Sequence, residues 1–105
     1  MTKQVKILIL DKKGKVLEHF YVRSSKWGLP AGKVEKGESF NQAAKRELLE
    51  RTGYEIGLKS LRELRGEKEG SAVFKIFLGA KKSMKKVAEP GEKGGYATKI
   101  RWRRC

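Results

Sequence analysis

Two arginines and two glutamates crowd one short stretch, "FNQAAKRELLERT", as Arg46, Glu47, Glu50 and Arg51. On a helix, Glu47 and Glu50 stand at i and i+3 and can aim their oxygens at one point. Carboxylates that close repel each other unless a cation lies between them. Mg²⁺ meets that need, because it takes a few carboxylate oxygens together with water and substrate phosphate. The same residues also make i,i+4 pairs, Arg46 with Glu50 and Glu47 with Arg51, each worth about 0.2–0.5 kcal/mol on a plain helix. Spacing alone leaves both a metal site and an ion-pair ladder open.

Either chemistry needs the segment to be helical and anchored. Ser39 with Gln42 fits a capping box that would start the helix at Phe40. No breaker follows until Gly53, which stands where a left-handed C-cap belongs. At about 100° per residue, Phe40, Ala44 and Leu48 share a stripe that can pack on a sheet. Ala43, Glu47 and Glu50 gather on an adjoining stripe, expected to be solvent-accessible, with Arg46 at its edge.

The flanking sequence supplies the sheet. "QVKILIL" (4–10) and "VLEHFYV" (16–22) read as strands joined by the turn "DKKGK", a hairpin. "KWGLPAGK" (26–33), punctuated by Gly28, Pro30 and Gly32, is expected to be irregular. "YEIGLKSLRELRG" (54–66) is ambiguous, and "SAVFKIFLGA" (71–80) alternates as a strand. Residues 81–95 read as a long loop, and "YATKIRWRR" (96–104) as a closing strand. Strands, one helix, then strands give an α/β or α+β class.

The 105 residues suffice for one domain, 1–105, and not for two. Lys and Arg number 26 against 12 acidic residues, a charge of +14 that favours an anionic partner. Trp102 and Tyr96 alternate with Lys99, Arg101, Arg103 and Arg104. They read either as a stacking and phosphate-binding strip for RNA or single-stranded nucleic acid, or as a charged edge strand that blocks aggregation. The single cysteine, Cys105, precludes an internal disulfide and suits a reducing compartment. The apolar run Ile7–Leu10 is too short for a signal peptide or a membrane span, so a cytoplasmic protein with no membrane partner is expected. His19 reads as an ordinary half-buried strand residue. Trp27 reads as loop packing, with base stacking as the alternative.

"WGLPAGKVEKGESFNQAAKRELLERTGY" resembles the Nudix hydrolase signature, MutT-like in form. Gly32, then Glu38, then Arg46-Glu47, then Glu50 and Gly53 fall at that family's spacing, followed by the apolar Tyr54. The resemblance implies an α/β/α sandwich with a mixed sheet, here cut short at the C-terminus without the family's terminal helix. It implies a pyrophosphohydrolase that cleaves a nucleoside diphosphate linked to another moiety, with Mg²⁺ or Mn²⁺. Carried over by position, Glu47, Glu50 and the Ala31 carbonyl would hold the metal, and Glu47 would also orient or deprotonate water. Arg46 would orient the glutamates. Gly32, Glu38, Arg51 and Trp27 would stand on the substrate side. The box is degenerate at Arg51, where the family has a second glutamate. That exchange puts a fixed positive charge where a metal ligand belongs, and Arg51 could instead hold a phosphate directly. Thr98 and Lys99 replace a late acidic residue of the family, leaving Glu89 and Glu92 as its nearest candidates. The alternative function is a catalytically impaired module of the same fold that binds nucleotide or RNA.

Overall fold

Period-two alternation makes the first strand. In β1 (Thr2–Leu10), Val5, Ile7 and Ile9 are fully buried while the residues between them turn to the other face. The computed structural model describes residues 2–104; Met1 and Cys105, with the expectation for that thiol, lie outside the described residues. Asp11 makes the first turn: its Oδ1 accepts from the N–H groups of Lys13 and Lys15, each at 2.8 Å. The chain returns as β2 (Val16–Tyr21), antiparallel to β1.

The two strands pair only at Leu10 and Val16, then splay. Beyond that point β3 (Lys26–Gly28) takes β2 as its partner, and β4 (Ala31–Lys33) takes β1. β6 (Arg62–Glu69) and β7 (Ala72–Ala80) form a bulged hairpin. β7 lies parallel to β1 from Thr2/Ala72 to Leu10/Ala80, so the sheet is mixed. β9 (Ile100–Arg103) pairs with β2, while β5 (Tyr54–Ile56) and β8 (Met84–Lys86) make a separate ribbon.

α1 (Phe40–Thr52) lies on one face of this sheet and begins and ends where its caps require. Gln42 N–H donates to the Ser39 hydroxyl at 3.1 Å, and Ser39 N–H donates to the Gln42 carboxamide at 2.9 Å. At the other end Gly53 has φ 79°, and its N–H donates to the Leu49 carbonyl. Ala43, Ala44 and Leu48 bury into a core with Val5, Ile7, Ile9, Leu17, Ile56, Leu61 and Phe77. This is a mixed α+β fold with one helical layer among the described residues. None of the described helices is long and apolar enough to cross a membrane.

Three expectations need correction. Residues 26–33 are not irregular: they carry β3 and β4, because the splayed β1 and β2 offer free ladder edges that local propensity cannot reveal. Residues 81–95 are not one loop, since a 3₁₀ turn at Lys81–Ser83 precedes β8. The closing strand is confined to Ile100–Arg103.

Gly53 has two constraints, its left-handed backbone and the Ala88 carbonyl that a Cβ there would strike. Gly37 shares the first, at φ 86°, but has open space around it. Alanine at either position costs about 1–3 kcal/mol from backbone strain. Gly53→Ala must therefore lower the urea midpoint more than Gly37→Ala. Equal losses would show that the approach of the 87–88 segment to the helix end is not tight.

Candidate active site

Arg46 is the centre of the polar cluster. Its Nε donates to Glu38 at 2.7 Å and lies 3.1 Å from Glu35; its Nη2 donates to Glu38 at 3.0 Å and to the Lys33 carbonyl at 2.9 Å. Nη1 reaches Glu47 at 2.9 Å and Glu50 at 3.2 Å. One guanidinium thus pins the loop after β4 to the helix and places the Glu47 and Glu50 carboxylates side by side. Its bonds to Glu38 hold that carboxyl below the ordinary range, against the opposing effect of burial, with the Glu35 N–H adding to them.

Glu47 is only 6% exposed, which corrects the expectation of a solvent-accessible face. Gly32 explains the burial: a Cβ there would fall inside the Glu47 carboxyl, so only glycine lets the β4 backbone lie against it. The second Glu47 oxygen accepts from Arg51 Nε at 2.8 Å. Both i,i+4 pairs of the ladder are formed.

On its far side Arg51 lines an open cleft of about 750 Å³ with Phe20, Tyr21, Arg23, Ser24 and Tyr96. Its guanidinium carbon is 5.5 Å from the centre of the Tyr21 ring, a cation–π distance. Gly28 leaves room for that ring, and the Tyr21 hydroxyl donates to the Leu29 carbonyl at 2.5 Å. Burial pushes both Tyr21 and Tyr96 hydroxyls up from their ordinary pKa. His19 lies beneath, its ring 3.9 Å from that of Tyr21. It is 1% exposed rather than half-buried, and among the described residues neither ring nitrogen makes a well-formed hydrogen bond, only a weak approach to the Phe20 backbone. Burial, with the charge of Arg51 adding to it, lowers its pKa to about 4.

The expected site residues divide by location. Ala31, Gly32, Glu38, Arg46, Glu47, Glu50 and Arg51 come together where β4 meets α1. Trp27 does not: in register with Phe20, it lies on the sheet face opposite Tyr21, where Arg101 stacks 4.4 Å from its ring centre. Glu89 and Glu92 are engaged within their own loop and with Lys86. The expected strip of Tyr96 and Trp102 is not assembled, because Trp102 packs against the core while Tyr96 borders the cleft. Tyr21 and Arg23 escaped the sequence reading, and only the register of β2 with β3 would have signalled Tyr21.

No three His, Cys, Asp or Glu side chains among the described residues gather to hold a metal. Two carboxylates and a backbone carbonyl remain. Ile7 N–H donates to Pro30 and Val34 N–H to Lys3, so alternation turns the Ala31 and Lys33 carbonyls away from β1. The Lys33 carbonyl meets Arg46 on that side. Mg²⁺ is often held by one or two carboxylates plus substrate phosphates; Glu47 and Glu50 are donors of that kind, with both Glu47 oxygens bonded to arginines here.

The NUDIX domain profile matches residues 2–102. A Bacillus subtilis (strain 168) protein described as "Putative 8-oxo-dGTP diphosphatase" is 53% identical over 34 residues, which span 32% of this chain and 23% of that protein. A structure from work on MutT of Aliivibrio salmonicida and Vibrio cholerae superposes with a TM-score of 0.78 at 22% identity, covering 98% of this chain and 79% of that one. An ADP compounds hydrolase superposes at 0.75 with 17% identity, over 98% and 57% of the two chains. At these identities the structural likeness concerns the fold.

Glu47→Gln keeps the side chain's shape but leaves two guanidiniums against a neutral amide. It should lose about 1–3 kcal/mol in urea unfolding; an unchanged midpoint would show that the buried bridge is not stabilising. His19 gives a pH signature. Between its unfolded value of 6.5 and its folded value of about 4, the unfolded chain binds a proton that the folded one refuses. Stability should fall as pH drops from about 7 to 5, by no more than about 1.4 kcal/mol per unit. His19→Phe should flatten that slope; an unchanged slope would assign it to another group.

Proposed function

Because this chain belongs to the Nudix family, we propose that it is a pyrophosphohydrolase acting on a nucleoside diphosphate linked to another moiety. The observation that carries this is the pairing of Glu47 with Glu50 under Arg46, against a β4 backbone that Gly32 leaves open. The activities named for its relatives, on 8-oxo-dGTP and ADP compounds, are of the same chemical kind.

Glu47, Glu50 and the Ala31 carbonyl would hold Mg²⁺ or Mn²⁺, which when bound neutralises phosphate oxygens and lowers the pKa of coordinated water. Arg46 sets the angle of both carboxylates, and Glu38 holds Arg46 through two bonds. Glu47 would orient the attacking water and accept its proton as the new phosphorus–oxygen bond forms and the pyrophosphate bridge breaks. Arg51, between Glu47 and the cleft, faces the charge that develops on the leaving phosphate. That same arginine favours a second reading, a nucleotide-binding module without turnover, because it neutralises the Glu47 carboxylate at 2.8 Å.

A panel of nucleoside diphosphate derivatives and triphosphates, with Mg²⁺, Mn²⁺ or EDTA, decides between them. Metal-dependent release of a nucleoside monophosphate is expected, with Glu47→Gln slower by about 10²–10⁴-fold. A folded protein that turns over nothing in the panel with either metal would leave the binding module.

A further inference from the structure

The Glu47 carboxylate is paired before any ligand arrives. Arg46 and Arg51 each touch one of its oxygens within 2.9 Å, and Arg46 is shared with Glu35, Glu38 and Glu50. A bare carboxylate pair would repel a diphosphate and require a divalent cation to admit it. Here the group facing the cleft is itself a cation. Arg51 uses Nε for Glu47, and among the described residues no second carboxylate pairs with it. Its terminal amino groups carry further donors in the fork geometry that suits phosphate, and the Tyr96 hydroxyl is already a neighbour of them. Arg23, Ser24 and the two tyrosines line the same cleft, of about 750 Å³. The Glu47 bond and the Tyr21 ring fix the guanidinium from two sides, so little of its freedom remains to be lost on binding.

We propose that Arg51 anchors a phosphate of the nucleotide directly, so that this site binds nucleoside diphosphates without a divalent cation. The inference rests on the nucleotide-diphosphate reading of the site and separates two duties that one metal would otherwise combine. Arg51 supplies affinity, and any metal requirement falls on turnover alone. Arg51 is then a substrate-binding residue whose other edge sets the Glu47 carboxylate.

Titration calorimetry with ADP and with inorganic pyrophosphate, both in EDTA, tests this on the full chain. The wild type should bind both. Arg51→Gln should bind about 10- to 100-fold more weakly, and Arg51→Glu more weakly still. Arg51→Lys keeps the charge without the fork and should fall between wild type and Arg51→Gln, with thermal melts reporting whether each variant is folded. Wild-type binding that appears only when Mg²⁺ is added overturns the proposal, as does a folded Arg51→Gln with unchanged EDTA affinity. Either result leaves metal-dependent hydrolysis standing if turnover is observed. Conversely, tight binding in EDTA with no turnover under any metal supports the anchor and defeats the hydrolase reading.

Discussion

A single guanidinium holds this site together. Arg46 touches Glu35, Glu38, Glu47, Glu50 and the Lys33 carbonyl. Two of those carboxylates lie in the loop and two on the helix. Without a cation between them they would push the loop away from the helix, since like charges at such distances destabilise each other. With it, the loop after β4 closes on α1. Three of its carboxylate partners, Glu38, Glu47 and Glu50, are partly withdrawn from water, so those bonds gain from the lower local dielectric, while Glu35 stays exposed.

The second constraint is steric. The splaying of β1 from β2 frees the edges that β3 and β4 occupy, and β4 then runs close under α1. The helix can approach that closely only because residue 32 lacks a Cβ and Glu47 fills the space. Burial of a carboxylate demands compensation, and both its oxygens receive it, one from Arg46 and one from Arg51. Arg51 therefore has a structural reason to be where it is, independent of any ligand. The same contact puts a guanidinium between the Glu47 carboxylate and the cleft, which alters what can approach from there.

Some of the basic side chains behind the net charge of +14 pack on the protein's own aromatic rings. Arg101 stacks on Trp27, Lys99 lies over Phe20, Lys81 over Trp102, and Lys75 over Phe40. Arg101 and Arg103 together clamp Glu18, at 2.9 Å each. These long cationic side chains cover aromatic rings of the sheet and of α1, shielding apolar area while their heads stay hydrated. Trp102 packs against the core and Tyr96 borders the cleft, so among the described residues the two do not join the β9 cations in one strip.

The sequence alone determined everything set by local rules. Phe40–Thr52 has the bounds its capping box and Gly53 dictate, because caps act within a few residues of the backbone they satisfy. The alternation of Val5, Ile7 and Ile9 announced β1, and the spacing from Gly32 to Gly53 announced the family. The ladder pairs of α1 were legible for the same reason, since i,i+4 geometry follows from the helix itself. Tertiary structure decided the rest. β3 and β4 exist because distant strands lend them partners, and three-residue strands carry too little pattern to be read alone. That Glu47 is buried depends on Gly32, fifteen positions away in sequence and against it in space. Trp27 and Tyr21 were sorted to opposite faces by a register between β2 and β3. A one-residue slip of β3 would bring Trp27 to the face of Tyr21, and no local propensity sets that slip.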